Sequence, residues 1–253
     1  MLTETINFIT EGPIARINLN NPNKRNAIGS KELLAIHRAL NEIDSSSHLR
    51  VLILSSTAGS VFCAGASLDD LRSGAITSND FQNMTNALAE ISVPTICAIN
   101  GNIFGGGVEL ALSCDFRFGC HGIKMRVPAS ALGLCYPVQG IKRFVGRLGH
   151  STAKRILLSA ETLSDTQLLE MGFIQQILSD RRLEIAVNAY AENLCRLAPL
   201  SLAAMKQIIN RACEGAFNVE KAEKLATECL DSDDLREGLL AQQEKRAPKF
   251  IGS

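Results

Sequence analysis

The chain has 253 residues, 46% hydrophobic and 21% charged, ordinary proportions for a globular protein. Lys plus Arg and Asp plus Glu both number 26, so the formal net charge is zero, which argues against nucleic acid or an anionic membrane as the main partner. No apolar run reaches spanning length, and MLTETINFIT lacks a basic region followed by an apolar core, so no membrane partner and a cytoplasmic location are expected.

Thr5 to Thr10 and Ile14 to Leu19 read as two strands of a hairpin around Glu11-Gly12-Pro13. A turn-rich stretch, Asn20 to Asn26, carries Lys24 and Arg25. Ser30 opens a helix to Asp44 whose stripe is Leu33, Leu34, Ile36, Leu40 and Ile43. Val51 to Leu54 is a short apolar strand, and Val61 to Ser67 is small and tightly turning. Phe81 to Ile91 is a second amphipathic helix, broken before Pro94. Thr95 to Ile99 is a buried strand, with further strands at Asp115 to Phe118 and Lys124 to Val127. This alternation favours an α/β architecture.

From Ile141 the pattern turns helical: 141–148, 151–159, 164–171, 181–197, 201–214, 218–230 and 235–246, with one strand from Phe173 to Leu178. No repeat period or linker separates this part. Residues 1–195 are therefore expected to form the core, and residues 196–253 a helical region packed on it or forming an oligomer surface. The eight cysteines form no C-x-x-C pair, and His37, His48, His121 and His150 have no paired-ligand spacing, so no metal site is expected.

The chemistry concentrates in Ile99 to Asp115. A strand stops at Asn100-Gly101, and Gly105-Gly106-Gly107 then precedes the helix-prone Val108 to Leu112. Three glycines let a ligand approach bare backbone N–H groups at a helix N-terminus, where unpaired donors and the positive dipole end coincide. Such donors suit a phosphate or a carbonyl oxygen gaining charge. Glu109, three residues after Gly106, would share its face. It reads either as a general acid/base or as a plain dipole-complementing residue.

The segments Asn21-Pro22-Asn23-Lys24-Arg25-Asn26-Ala27, Phe62-Cys63-Ala64-Gly65-Ala66, Asn100-Gly101 through Leu110, and Cys114-Asp115 occur in that order. Gly133-Leu134 to Gly140, Arg143 and Gly149 follow. Together they resemble the crotonase superfamily, the enoyl-CoA hydratase/isomerase family, over essentially the whole length. The resemblance implies an α/β spiral of strand-strand-helix units with a C-terminal helical trimerisation region, in a homotrimer or dimer of trimers. It implies an acyl-CoA substrate whose thioester oxygen is held by the N–H groups of Ala66 and Gly106, with Glu109 moving protons. Lys24, Arg25 and Ala27 would meet the CoA moiety, although Lys24 and Arg25 read almost as well as a solvated basic turn. Ala64, Ser67, Leu68, Phe104, Gly105, Pro128 and Ala129 would line the substrate site. No metal or prosthetic group is needed, because CoA arrives with the substrate. The tail, Lys245 to Phe250, resembles one that can add a basic or aromatic group to the CoA pocket, though each of its residues reads better as part of a solvated charge run.

The departures bear on the reaction. Family hydratases use a second glutamate after a proline, where this chain has Ala129. Ser67 stands where an aspartate is usual, and Pro137 where dienoyl-CoA isomerases carry an acid. Tyr136 matches a tyrosine lining the acyl site of crotonase-like decarboxylases, and reads equally as a core aromatic. Isomerisation or decarboxylation is thus expected over efficient hydration. A non-catalytic acyl-CoA-binding homologue is the alternative.

Overall fold

The computed structural model describes all residues except 1, 2, 58, 214 and 216. In chain order the protein opens with the antiparallel pair β1 (Ile6–Glu11) and β2 (Ile14–Leu19), followed by α1 (Ser30–Asp44). Strand-strand-helix units then recur. The first is β3 (Val51–Ser56), β4 (Val61–Cys63), α2 (Leu68–Ser73) and α3 (Ser78–Glu90). The second is β5 (Thr95–Ile99), β6 (Asn102–Phe104) and α4 (Gly106–Ser113). The third is β7 (Phe116–Cys120), β8 (Lys124–Arg126) and α5 (Val138–Ser159). Then come β9 (Leu163–Ser164), α6 (Asp165–Glu170), β10 (Gln176–Leu178), α7 (Asp180–Cys195), α8 (Pro199–Cys213), α9 (Val219–Leu230) and α10 (Asp233–Glu244).

The first strand of each unit joins a six-stranded sheet, β1-β2-β3-β5-β7-β10, parallel from β2 onward. Its central runs, VLILSS and TICAI, are almost wholly buried, as strands covered on both faces must be. The second strand of each unit joins a smaller sheet, β4-β6-β8-β9. Because β4, β6 and β8 are parallel neighbours, the chain leaving each one emerges beside the other two. Ala64–Ser67, Gly105–Gly106 and Val127–Ala129 thereby converge, although long stretches of sequence separate them.

Helix starts follow local chemistry. Thr77 Oγ1 accepts from Asp80 N at 3.2 Å while Asp80 Oδ2 accepts from Thr77 N at 2.7 Å, a reciprocal cap on α3. The buried stripe of α3 is Phe81, Met84, Thr85 and Leu88. Gly149, at φ +78°, bends α5 where the sequence suggests two helices. The strands β6 and β9 were not expected, since pieces of three and two residues show no alternation. The strand foreseen over Phe173 to Leu178 is confined to Gln176–Leu178; Phe173 and Ile174 are buried in the turn ahead of it.

Helix α8 is fastened to the preceding units. Lys206 Nζ sits 2.8 Å from Asp115 Oδ2 and donates to Val93 O, while Asn210 Nδ2 donates to Ala89 O at 3.0 Å. The tail turns back on α10: Arg246 pairs with Glu237 and Glu244, and the Phe250 ring lies against Gly238. Among the described residues no helix is long and apolar enough to cross a membrane.

Candidate active site

The turn after β4 and the loop after β6 interlock. Gly65 adopts φ +93°, and a Cβ there would fall 2.5 Å from Gly106 N. A Cβ on Gly106 would meet the Phe81 ring at 2.7 Å and Ala66 N at 3.3 Å. The amides of Ala66 and Gly106 are therefore neighbours, brought together by glycines with no side chain to hold them apart. Flanking groups are engaged: Ser67 N donates to Ile28 O, Gly105 N to Arg126 O and Val108 N to Gly105 O. Gly106 opens α4, so its N–H also lies at the positive end of the helix.

Glu109 stands in the first turn of α4 and is 2% exposed. Its Oε1 lies 2.8 Å from Arg143 Nη1 of α5 and accepts from the Thr85 hydroxyl of α3 at 3.2 Å. Burial pushes the carboxyl above the usual glutamate value, against the opposing pull of Arg143, Tyr136 and Thr85. Tyr136 is buried, packs edge-on to Phe144 with centroids 5.6 Å apart, and interacts with Glu109 without a well-aligned hydrogen bond. Burial and the Glu109 charge push its pKa well above the usual tyrosine value. A Cβ on Gly140 would reach 2.5 Å from the Tyr136 ring and 2.9 Å from Glu109 Oε2. The result is a buried carboxylate in the first turn of the helix that Gly106 opens.

A sequence model of the family "Enoyl-CoA hydratase/isomerase" matches residues 10–253. The chain belongs to that family. It is 31% identical to the mitochondrial enoyl-CoA hydratase domain-containing protein 2 of Mus musculus, over 94% of this chain and 84% of that one. It is 29% identical to the mitochondrial methylglutaconyl-CoA hydratase of Mus musculus, over 94% of this chain and 80% of that one. Among solved structures, an enoyl-CoA hydratase from Mycobacterium marinum superposes with TM-score 0.90 at 25% identity, covering 99% and 100% of the two chains. The α/β fold is that of the crotonase superfamily.

Within this family fold, the remaining residues singled out by sequence fall in four groups. Ala64 and Gly105 lie on the interlocked loops around the donor pair, and Phe104 ends β6 just before the second loop. Pro128 and buried Ala129 follow β8; the carbonyl of Ala129 takes the amides of Leu132 and Leu134, which turns the chain toward Tyr136. Lys24 and Arg25 are exposed, next to half-buried Ala27. Arg25 and Asn26 take left-handed φ of 53° and 54°, a strained arrangement for non-glycine residues. The Asn26 side chain holds it by donating to Val61 O and Phe62 O and accepting from Asn21 N.

Ser67 has a local task. Its hydroxyl accepts from Asp70 N at 3.3 Å and donates to Asp70 Oδ1, capping α2, while Leu68 points to solvent. Asp70 Oδ2 in turn accepts from Ser30 N, coupling the starts of α1 and α2. Sequence reasoning gave no role to Thr85, Asn86 or Arg143. Thr85 left a trace, as the polar member of the otherwise apolar stripe of α3. Two cavities lie away from Glu109. One of about 610 Å³ is lined by Asn18, Ser55, Asn100 and Asp180, and one of about 420 Å³ separates α8 from α9. Convergent donors and a buried base, not cavity volume, single out the site.

Proposed function

We propose that this protein processes an acyl-CoA thioester through an enolate, with isomerisation or decarboxylation favoured over hydration. The observation that carries the reading is the adjacency of the Ala66 and Gly106 amides, with Glu109 in the same helical turn as Gly106. In isomerisation of a 3-enoyl-CoA, Glu109 takes a proton from Cα and the electron pair flows onto the thioester oxygen between the two amides. The proton then returns at the γ carbon as the double bond shifts. Fixed donors are worth much here: loss of one typically costs roughly 10²–10³ in kcat. In decarboxylation the same enolate forms as CO₂ leaves, and Glu109 or Tyr136 supplies the proton.

Ala129 supports this preference. Hydration needs one group to activate water and another to move a proton, and a buried methyl does neither. No metal or prosthetic group enters the scheme. The helical region after residue 195 is proposed to mediate trimer formation, and Lys24, Arg25 and Ala27 to meet the CoA. Hydration is the second reading, favoured by the names of the relatives.

A turnover panel of crotonyl-, 3-enoyl- and methylmalonyl-CoA, with products identified by mass, tests the preference. We expect 3-enoyl- or methylmalonyl-CoA to react faster than crotonyl-CoA. Faster hydration of crotonyl-CoA than turnover of either other substrate would overturn the reading.

A further inference from the structure

The two well-aligned hydrogen bonds to the Glu109 carboxylate fall on one oxygen. Oε1 takes Arg143 Nη1 at 2.8 Å and the Thr85 hydroxyl at 3.2 Å. Oε2 lies where Gly140 and Tyr136 meet, 2.9 Å from the position a Gly140 Cβ would occupy. Arg143 is itself aligned from α3: Nη1 also donates to Thr85 Oγ1 at 3.2 Å, and Nη2 donates to Asn86 Oδ1 at 2.6 Å. Two consecutive residues of one helix thus orient two nitrogens of a planar guanidinium, and a planar fork fixed at two points has little freedom at the third. Thr85 at 0% and Arg143 at 8% exposure are buried, with Asn86 half-buried at their edge.

We propose that Arg143, aligned by Asn86, is a positioning residue that gives the two oxygens of Glu109 separate tasks. Oε1 is the ion-paired anchor. Oε2 is the atom that takes and returns the substrate proton. The inference rests on the reading of Glu109 as the proton carrier. A carboxylate held this way presents one oxygen in one direction before substrate arrives, and such preorganisation removes a search from the barrier. The guanidinium also opposes the effect of burial, keeping the base ionised at lower pH than the pocket alone would allow.

The readout is α-proton exchange of a saturated acyl-CoA in deuterated water, measured as a function of pH. The groups facing Glu109 that carry or acquire charge are Arg143 from α5 and Tyr136 from the segment before it. From α3 the Glu109–Arg143 pair meets the uncharged Thr85 and Asn86. Exchange requires ionised Glu109, so its rate falls on the acid side. Weakening Arg143 raises the Glu109 pKa and must move that acid limb to higher pH.

For Arg143→Ala we expect the limb to rise by about one pH unit or more and the rate to fall roughly a hundredfold, with KM little changed. Arg143→Lys, or guanidinium added to Arg143→Ala, should restore part of both. Asn86→Ala, which leaves the charge in place but frees it, should give a smaller loss and a smaller shift in the same direction. It also covers the case in which the Arg143 variant does not fold. Wild-type rate and an unmoved limb in Asn86→Ala would overturn the proposal. So would a slow Arg143→Ala whose limb stays put and which neither lysine nor guanidinium restores. Glu109→Gln separates the layers: exchange at the wild-type rate there overturns the proton-carrier reading itself, and this proposal with it.

Discussion

Each end of α4 has a carboxylate 2.8 Å from a cation: Glu109 with Arg143 at the first turn, Asp115 with Lys206 just past the last. Asp115 Oδ2 accepts from Thr95 N at 2.8 Å, from the Thr95 hydroxyl at 2.9 Å and from Lys206. Its own N–H returns a bond to Thr95 Oγ1. Backbone and side-chain donors from β5 and α8 thus meet on that one oxygen. At Glu109 the aligned donors also share one oxygen, Oε1, but the side chain is 2% exposed against 16% for Asp115, and Oε2 lies beside Tyr136 and the glycine of α5. The contrast shows that two ion pairs of equal length can sit in unlike surroundings. What sets Glu109 apart is deeper burial beside an aromatic ring, at the end of the helix that carries the Gly106 amide.

Two substitutions should break the comparison in opposite ways. Glu109→Gln keeps the shape and the contact with Arg143 but removes the base, so turnover should fall by ~10²–10⁴. Acyl-CoA affinity, read by calorimetry, should hold because the backbone donors remain. The thermal midpoint should stay within about 4 °C. Lys206→Met should do the reverse, leaving Asp115 without its cation and loosening α8. A urea titration should show a loss of about 3 kcal/mol or more, with turnover per folded molecule unchanged. A stable Lys206→Met would mean that Thr95 alone satisfies Asp115. The smallest effect is expected at Ser67→Ala, which removes the cap of α2 for about 0.5–2 kcal/mol. A large loss of turnover in that variant, without loss of stability, would place Ser67 on the substrate.

Much of this was legible in the sequence where neighbours along the chain decide the outcome. The buried run Thr95–Ile99, the glycines and the helix behind them can be read in order, and so can the placing of Glu109 beside Gly106. The small-residue turn at Ala64–Ala66 was legible through its resemblance to the family. Partners brought together by the spiral were not. Arg143 reaches Glu109 across 34 residues and Asn86 reaches Arg143 across 57, separations with no local signature. The caps show a related limit: the bond between Ser67 and Asp70, three residues on, marks a helix start only once the short α2 is seen. Short strands such as β6 exist because β4 and β8 flank them, and their own three residues carry no pattern.

The contact between Gly65 and Gly106 has a consequence for anyone who maps this enzyme by mutation. The groups proposed to stabilise the enolate belong to the main chain, so exchanging the Ala66 side chain leaves its donor in place. A conventional alanine scan would pass over it. The scan would instead record its sharpest losses at Gly65, where a methyl would be driven into the Gly106 amide, and an uninformed reader would credit catalysis to a residue that only makes room. Replacing the Ala66 or Gly106 amide by an ester, which deletes the N–H and spares every side chain, is the substitution that reaches the donors themselves.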